Sequence, residues 1–117
     1  MKLSTLFGTI AFFNAGAVLA DLHNFCACGE RTGSNAVQDA YWTFNDGITE
    51  YACTRYKNRN TGNKQWDQCP DCQMDTQNLD GHTNVPACFS VGWHMGGDEF
   101  DYYCGLQGLQ GYCKSIS

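Results

Sequence analysis

The sequence predicts an α+β fold: a small, disulfide-stapled two-layer sandwich in which an antiparallel sheet carries two helices on one face, in the split βαβ order. Three observations lead there. Strand-like segments, of period-two alternation or rich in β-formers and aromatics, are separated by two segments whose apolar residues recur at helical spacing. Each helical segment opens on acidic residues, as the helix dipole favours. Eight cysteines lie behind an apolar leader in a chain of 117 residues, which is the pattern of a short exported domain held by disulfides.

Residues 1–20, MKLSTLFGTIAFFNAGAVLA, carry one charge at Lys2, an apolar middle from Leu6 to Phe13 and small residues at the end. These are the features of a secretory signal peptide, with Val18 and Ala20 placing cleavage before Asp21. Gly8, Thr9, Asn14 and Gly16 interrupt the apolar run, so it falls short of the roughly 20 apolar residues of a membrane span. The expected organisation is a signal peptide (1–20) and one secreted cysteine-rich domain (21–117).

In that domain LHNFCAC (Leu22 to Cys28) alternates and predicts a strand that the GERTGSN run ends as a loop. AVQDAYWTF is ambiguous: Ala36, Val37 and Ala40 suit a short helix, Tyr41 to Phe44 a strand. NDG offers a cap, and Ile48, Tyr51, Ala52 and Tyr56 at helical spacing predict a helix over about 47–58. A polar loop, TGNKQWDQCPDC, follows; CQMDTQN suits a strand, NLDGHTN a turn, and ACFSVGWHM (Ala87 to Met95) a second strand. Gly96 and Gly97 break it. Asp98 and Glu99, then Phe100, Tyr103 and Cys104 at i, i+3 and i+4, predict a helix starting near Asp98. The glycine-punctuated tail suits a last edge strand pinned by Cys113.

All eight cysteines (Cys26, Cys28, Cys53, Cys69, Cys72, Cys88, Cys104 and Cys113) fall in the expected mature chain and read as four disulfides. The neighbours in CAC and CPDC are expected to pair with distant partners, although 105 connectivities are open to eight cysteines. CPDC has the spacing of a redox dithiol, but the poor helix former CQMDTQN follows it and Asp71 opposes thiolate formation. It is also half of a zinc set with CAC as the other half, a reading that an oxidising compartment disfavours. No cofactor and no metal are expected. After leader removal twelve acidic residues face six basic ones, a net charge of −6, which argues against nucleic acid as a partner and against lysis of anionic membranes. Arg55, Lys57, Arg59 and Lys64 form the one basic run. No Asn-x-Ser/Thr sequon is present.

Candidate functional residues are few. His94 and Glu99, with an arginine to hold phosphate, are the residue types of a small secreted ribonuclease; His82 sits in a turn and His23 near the mature terminus. His94, Asp98 and Glu99 also resemble metal ligands, though carboxylates in a first helical turn are what the dipole favours. Trp66, among Lys64, Gln65 and Asp67, is the tryptophan expected to be exposed or to brace its loop, and an exposed tryptophan is a good partner anchor. The letters GGDEF (Gly96 to Phe100) spell the signature of bacterial diguanylate cyclases. That reading fails, because an exported chain of about 97 mature residues is too small for the cyclase domain and carries no phosphate-binding loop.

The blocks RNTGNKQWDQCPDC (Arg59 to Cys72) and GWHMGGDEFDYYC (Gly92 to Cys104), with DLHNF at the mature start, resemble a group of small secreted cysteine-rich proteins of filamentous fungi, many of them candidate effectors. The resemblance implies secretion to the extracellular space or host apoplast, disulfides, no known enzymatic activity and a sandwich like the killer toxins of smut fungi. No catalytic residue carries over. The expected function is therefore a monomeric, non-enzymatic, effector-like protein that binds a host or competitor protein, with Arg59, Lys64 and Trp66 as candidate partner-binding residues. An extracellular ribonuclease using His94 and Glu99, or an antimicrobial or killer-type toxin, are the alternatives.

Overall fold

The computed structural model describes residues 22–33 and 40–117; the expected signal peptide and the AVQD stretch lie outside them. The first strand signal divides in two. Leu22–His23 (β1) leaves the main sheet to pair with Met95–Gly96 (β6), and Phe25–Thr32 (β2) forms the sheet's central strand. β2 does not stop at Cys28, as the GERTGSN run suggested: Gly29 to Thr32 pair with Tyr41–Phe44 (β3), in register from Gly29↔Phe44 to Thr32↔Tyr41. This pairing settles the ambiguous aromatic stretch as a strand, because cross-strand hydrogen bonds outweigh the weak local turn signals.

Asn45 caps the helix Asp46–Lys57 (α1), its side-chain oxygen accepting from the Ile48 amide at 2.8 Å. Thr49, Ala52, Cys53 and Tyr56 are its buried face; of the expected stripe Ala52 and Tyr56 are buried, while Ile48 and Tyr51 are only partly covered. Thr49 turns inward because its hydroxyl accepts from the Cys28 amide (2.9 Å) and donates to the Asn45 carbonyl (2.8 Å). A short 3-10 turn, Gln65–Asp67, punctuates the long loop. Gln73–Leu79 (β4) and His82–Phe89 (β5) then form a hairpin whose two-residue turn, Asp80-Gly81, has both φ angles positive (47° and 79°), the geometry for which Asp-Gly is preferred.

β5 ends at Phe89, not at Met95. Ser90 to Gly92 turn the chain and Trp93 takes a left-handed φ of 58°, so Trp93 and His94 lie in the turn and only Met95 resumes extended pairing. The helix Gly97–Gly105 (α2) opens with Asp98 and Glu99 in its first turn and buries Phe100, Tyr103 and Cys104, the three residues its spacing predicts. Gln110–Lys114 (β7) closes the sheet along β2, from Phe25↔Lys114 to Gly29↔Gln110.

Phe25 and Cys26 pair with both β5 and β7, and Gly29 with both β3 and β7. One edge of β2 therefore carries β7 while the other is divided between β5 and β3. The four long-range strands stand in the order β7-β2-β5-β4, all antiparallel, with α1 crossing from β2 to β4 and α2 from β5 to β7. This is the split βαβ arrangement. Cys26, Cys28 and Cys88 face the helices and pack with Ala52, Tyr56, Phe100 and Tyr103. Phe25, Ala27, Val85, Ala87 and Leu79 form a second cluster, under Phe44, Phe89, Tyr112 and Ile116.

All eight cysteines are paired: Cys26–Cys113, Cys28–Cys104, Cys53–Cys88 and Cys69–Cys72. CAC reaches two distant partners, as expected. CPDC does not: its cysteines bond to each other, because the CPDC turn brings their Cα atoms to 5.3 Å, a normal spacing for a disulfide. Among the described residues no helix is long and apolar enough to cross a membrane.

Candidate functional site

The three segments that carry the sequence resemblance are distant in the chain but meet in space. β1 lies against β6, the 3-10 turn packs on β6, and α1 delivers Tyr56 beneath them. The Tyr56 ring is fully buried. Its one hydroxyl proton is shared between the Trp66 carbonyl at 2.7 Å and the His94 carbonyl at 3.1 Å, and its oxygen accepts from the Gly96 amide at 3.1 Å. Burial pushes this phenol up to about 12, against a smaller opposing effect of the Gly96 bond.

Around this centre the loop and the glycine corner are sewn together. The Gln65 side chain donates to the carbonyls of Gly92 (3.0 Å) and Trp93 (2.8 Å), and the Gln65 carbonyl lies 2.9 Å from Nδ1 of His94. A carbonyl only accepts, so Nδ1 carries a proton. Asp71 accepts from the Ser90 hydroxyl and the Gly92 amide, both at 2.7 Å, and Ser90 Oγ accepts in turn from the His94 amide at 3.0 Å. At the loop's far end Asp67 accepts from Thr61 Oγ1 (2.6 Å) and the Lys64 amide (2.9 Å), bonds that hold its carboxyl below the usual range. Lys57 Nζ reaches the Pro70 and Cys72 carbonyls, tying α1 to the CPDC turn.

The candidate residues gather at this corner. Trp66 is half-buried and lies over Gly96, its Cβ 3.5 Å from where a Gly96 side chain would begin. The Glu99 carboxylate folds back into the remaining space beside Gly96. Arg59 lies between aromatic rings, its guanidinium carbon 5.5 Å from the Tyr56 centroid and 5.8 Å from that of Tyr103, with Nη1 donating to the Tyr103 hydroxyl at 3.2 Å. Lys64 is exposed on the same loop. His82 is elsewhere, its Nε2 2.8 Å from the Trp42 carbonyl.

The model of the biotrophy-associated secreted protein 4 family matches residues 21–112. The chain belongs to this family. No curated protein and no solved structure matches the chain. Membership in a secreted, biotrophy-associated family, four disulfides and the absence of a free cysteine agree with an effector-like extracellular protein.

Two features of this family member were not visible in its sequence. His23 stands beside the corner, opposite Met95 in the β1–β6 pair, with Nε2 3.5 Å from the position of a Gly97 Cβ and Nδ1 2.9 Å from Ser115 Oγ. The signal was the DLHNF string, whose strand partner is 72 residues away at Met95. The sulfurs of Cys53, Cys72 and Cys88 lie within 4.8 Å of one another, but each is in a disulfide and offers no thiolate to a metal.

Proposed function

We propose that this protein acts without catalysis, as a secreted effector-like protein that binds a host or competitor protein through the surface made by Arg59, Lys64 and Trp66. The observation that carries the reading is the use of polar groups at the corner. Gln65, Asp71, Tyr56 and His94 Nδ1 are engaged with backbone partners, which makes the loop from Arg59 to Cys72 a preformed platform. Preformed loops lose little conformational entropy on binding, and Trp and Arg are the residues that dominate interface energies. The decisive experiment is affinity capture from host tissue with the oxidised protein. Replacing Trp66 by alanine should lower recovery of the partner about thirty-fold or more, the effect of removing an interface anchor; equal recovery by the variant would move the site away from Trp66.

A second reading has one observation in its favour. His23 lies beside Gly97 and Glu99 beside Gly96, two residues on from His94, which brings imidazole and carboxylate groups to one corner. Incubation of the oxidised protein with RNA tests it: cleavage that His94→Ala abolishes would replace the binding reading with a ribonuclease.

A further inference from the structure

Two of the four disulfides stand side by side. The sulfurs of Cys53, Cys72 and Cys88 lie within 4.8 Å of one another, the only three sulfurs so placed among the described residues, which sets the Cys69–Cys72 bond against the Cys53–Cys88 bond. Strand register accounts for part of this. Met74 faces Cys88 across the β4–β5 ladder, and Cys72, two residues before Met74, falls on the same side of the hairpin because side chains alternate along an extended chain. Cys53 reaches the same place from α1. One helical turn further on, Lys57 donates to the Pro70 and Cys72 carbonyls at 3.4 and 3.3 Å, so the face of α1 that carries Cys53 also holds the CPDC turn.

The two bonds differ in how an oxidant reaches them. All four cysteines are at most 3 % exposed, but Cys53 and Cys88 lie within α1 and β5, where access requires the helix to leave the sheet. Cys69 and Cys72 flank a surface turn whose Pro70 is exposed and whose Asp71 is partly so, and a local opening of that turn uncovers them. The rings also differ in size: Cys69–Cys72 closes three residues and Cys53–Cys88 closes 35. Loop-closure entropy favours the short ring by on the order of ten-fold or more. The bond that forms first, and that a small oxidant can renew, therefore lies in contact with the one that is sealed in.

We propose that CPDC is an internal exchange site that delivers the Cys53–Cys88 disulfide during oxidative folding, with Cys72 as the sulfur through which it passes. A thiolate at Cys53 or Cys88 attacks Cys72 Sγ; the mixed bond forms, the Cys69–Cys72 bond breaks, and Cys69 takes the electron pair. Asp71 Oδ1 lies 3.5 Å from Cys69 Sγ and opposes a thiolate there, so the leaving sulfur takes up a proton and is slow to attack back. The remaining thiolate of the Cys53 and Cys88 pair then attacks its partner's sulfur in the mixed bond, forming Cys53–Cys88 and releasing Cys72. Two protons have passed from Cys53 and Cys88 to Cys69 and Cys72, and the oxidation state of the chain is unchanged. A disulfide of the glutathione class reoxidises CPDC and is reduced to two thiols. The distance suits the transfer, because a sulfur swings about 3 Å between staggered rotamers, most of the way from 4.8 Å to a bond of about 2 Å.

The test is refolding of the reduced protein in a glutathione redox buffer, with samples quenched in acid at intervals, alkylated and mapped by mass spectrometry. The wild type should pass through a species in which Cys72 is bonded to Cys53 or Cys88. With Cys69→Ser and Cys72→Ser together, the Cys53–Cys88 bond should form about ten-fold more slowly, while Cys26–Cys113 and Cys28–Cys104 keep their wild-type rates. A second variant reads the exchange in the folded state: Cys69→Ser leaves Cys72 without its CPDC partner, and acid trapping should find the free thiol spread over Cys53, Cys72 and Cys88. Absence of the Cys72 mixed disulfide from the wild type, an unchanged rate for Cys53–Cys88 in the double variant, an equal slowing of all three long-range bonds, or a free thiol confined to Cys72 would each overturn the proposal. Should neither variant fold, the wild-type intermediate decides alone.

Discussion

Tyr56 gives one hydroxyl to three backbone groups, those of Trp66, His94 and Gly96. Tyr56→Phe keeps the packed ring but leaves the Gly96 amide without its acceptor, a loss of about 1–3 kcal/mol for a buried group, measurable as a lower urea midpoint at unchanged slope. The phenol adds a pH signature. Its proton is held up to about 12 in the folded protein against 10.0 for an ordinary tyrosine, so between these values the unfolded chain ionises while the folded one does not. The stability it contributes is complete below pH 10 and is lost as pH rises toward 12. Stability of the wild type should therefore fall more steeply over that window than that of Tyr56→Phe, and absorbance at alkaline pH should show one late-titrating tyrosine that the variant lacks. The spacing of α1 places Tyr56 on the buried face, but the partners of its hydroxyl come from residues 10 and 38 positions away, beyond any periodicity argument.

At the scale of elements, α2 shows what local chemistry specifies well. Acidic residues at its start and apolar residues at i, i+3 and i+4 locate its start to within one residue, because both signals act inside a single turn or two. The strand before it is a different case. Ala87 to Met95 has β-formers throughout, yet it breaks at Phe89, since Asp71 and Gln65 from another segment capture the Ser90 to Trp93 turn. The docking of α2 on β7 is as close as backbones allow: a Cβ at Gly111 would lie 2.8 Å from Asp101 Cα and 2.9 Å from its amide nitrogen. Gly111→Ala must push the helix off the strand, and should cost about 1–3 kcal/mol, seen as a lower melting temperature and faster amide exchange along β7.

Over the whole molecule the disulfides divide by what they span. Cys26–Cys113 closes 87 residues, Cys28–Cys104 closes 76 and Cys53–Cys88 closes 35, each joining distant elements, whereas Cys69–Cys72 closes three. Loop-closure entropy gives the longest about 4–5 kcal/mol and the shortest about 1–2. Replacing both Cys26 and Cys113 by serine should thus lower stability by clearly more than replacing Cys69 and Cys72, as read by urea denaturation of the two double variants. Peptide mapping without reduction should recover the 69–72 pair on one fragment.

By itself the sequence determined the fold class, the two helices, the turn at Asp80-Gly81 and that the cysteines are all engaged in disulfides, because these follow from periodicity, capping, turn chemistry and an even cysteine count, all local or compositional. The tertiary structure decided which cysteines pair, where β2 and β5 end, and that β1, the loop from Arg59 to Cys72 and the glycine corner form one platform. Those outcomes depend on side chains meeting backbone groups tens of residues away, and only the closed sheet with its helices docked brings them within hydrogen-bonding distance.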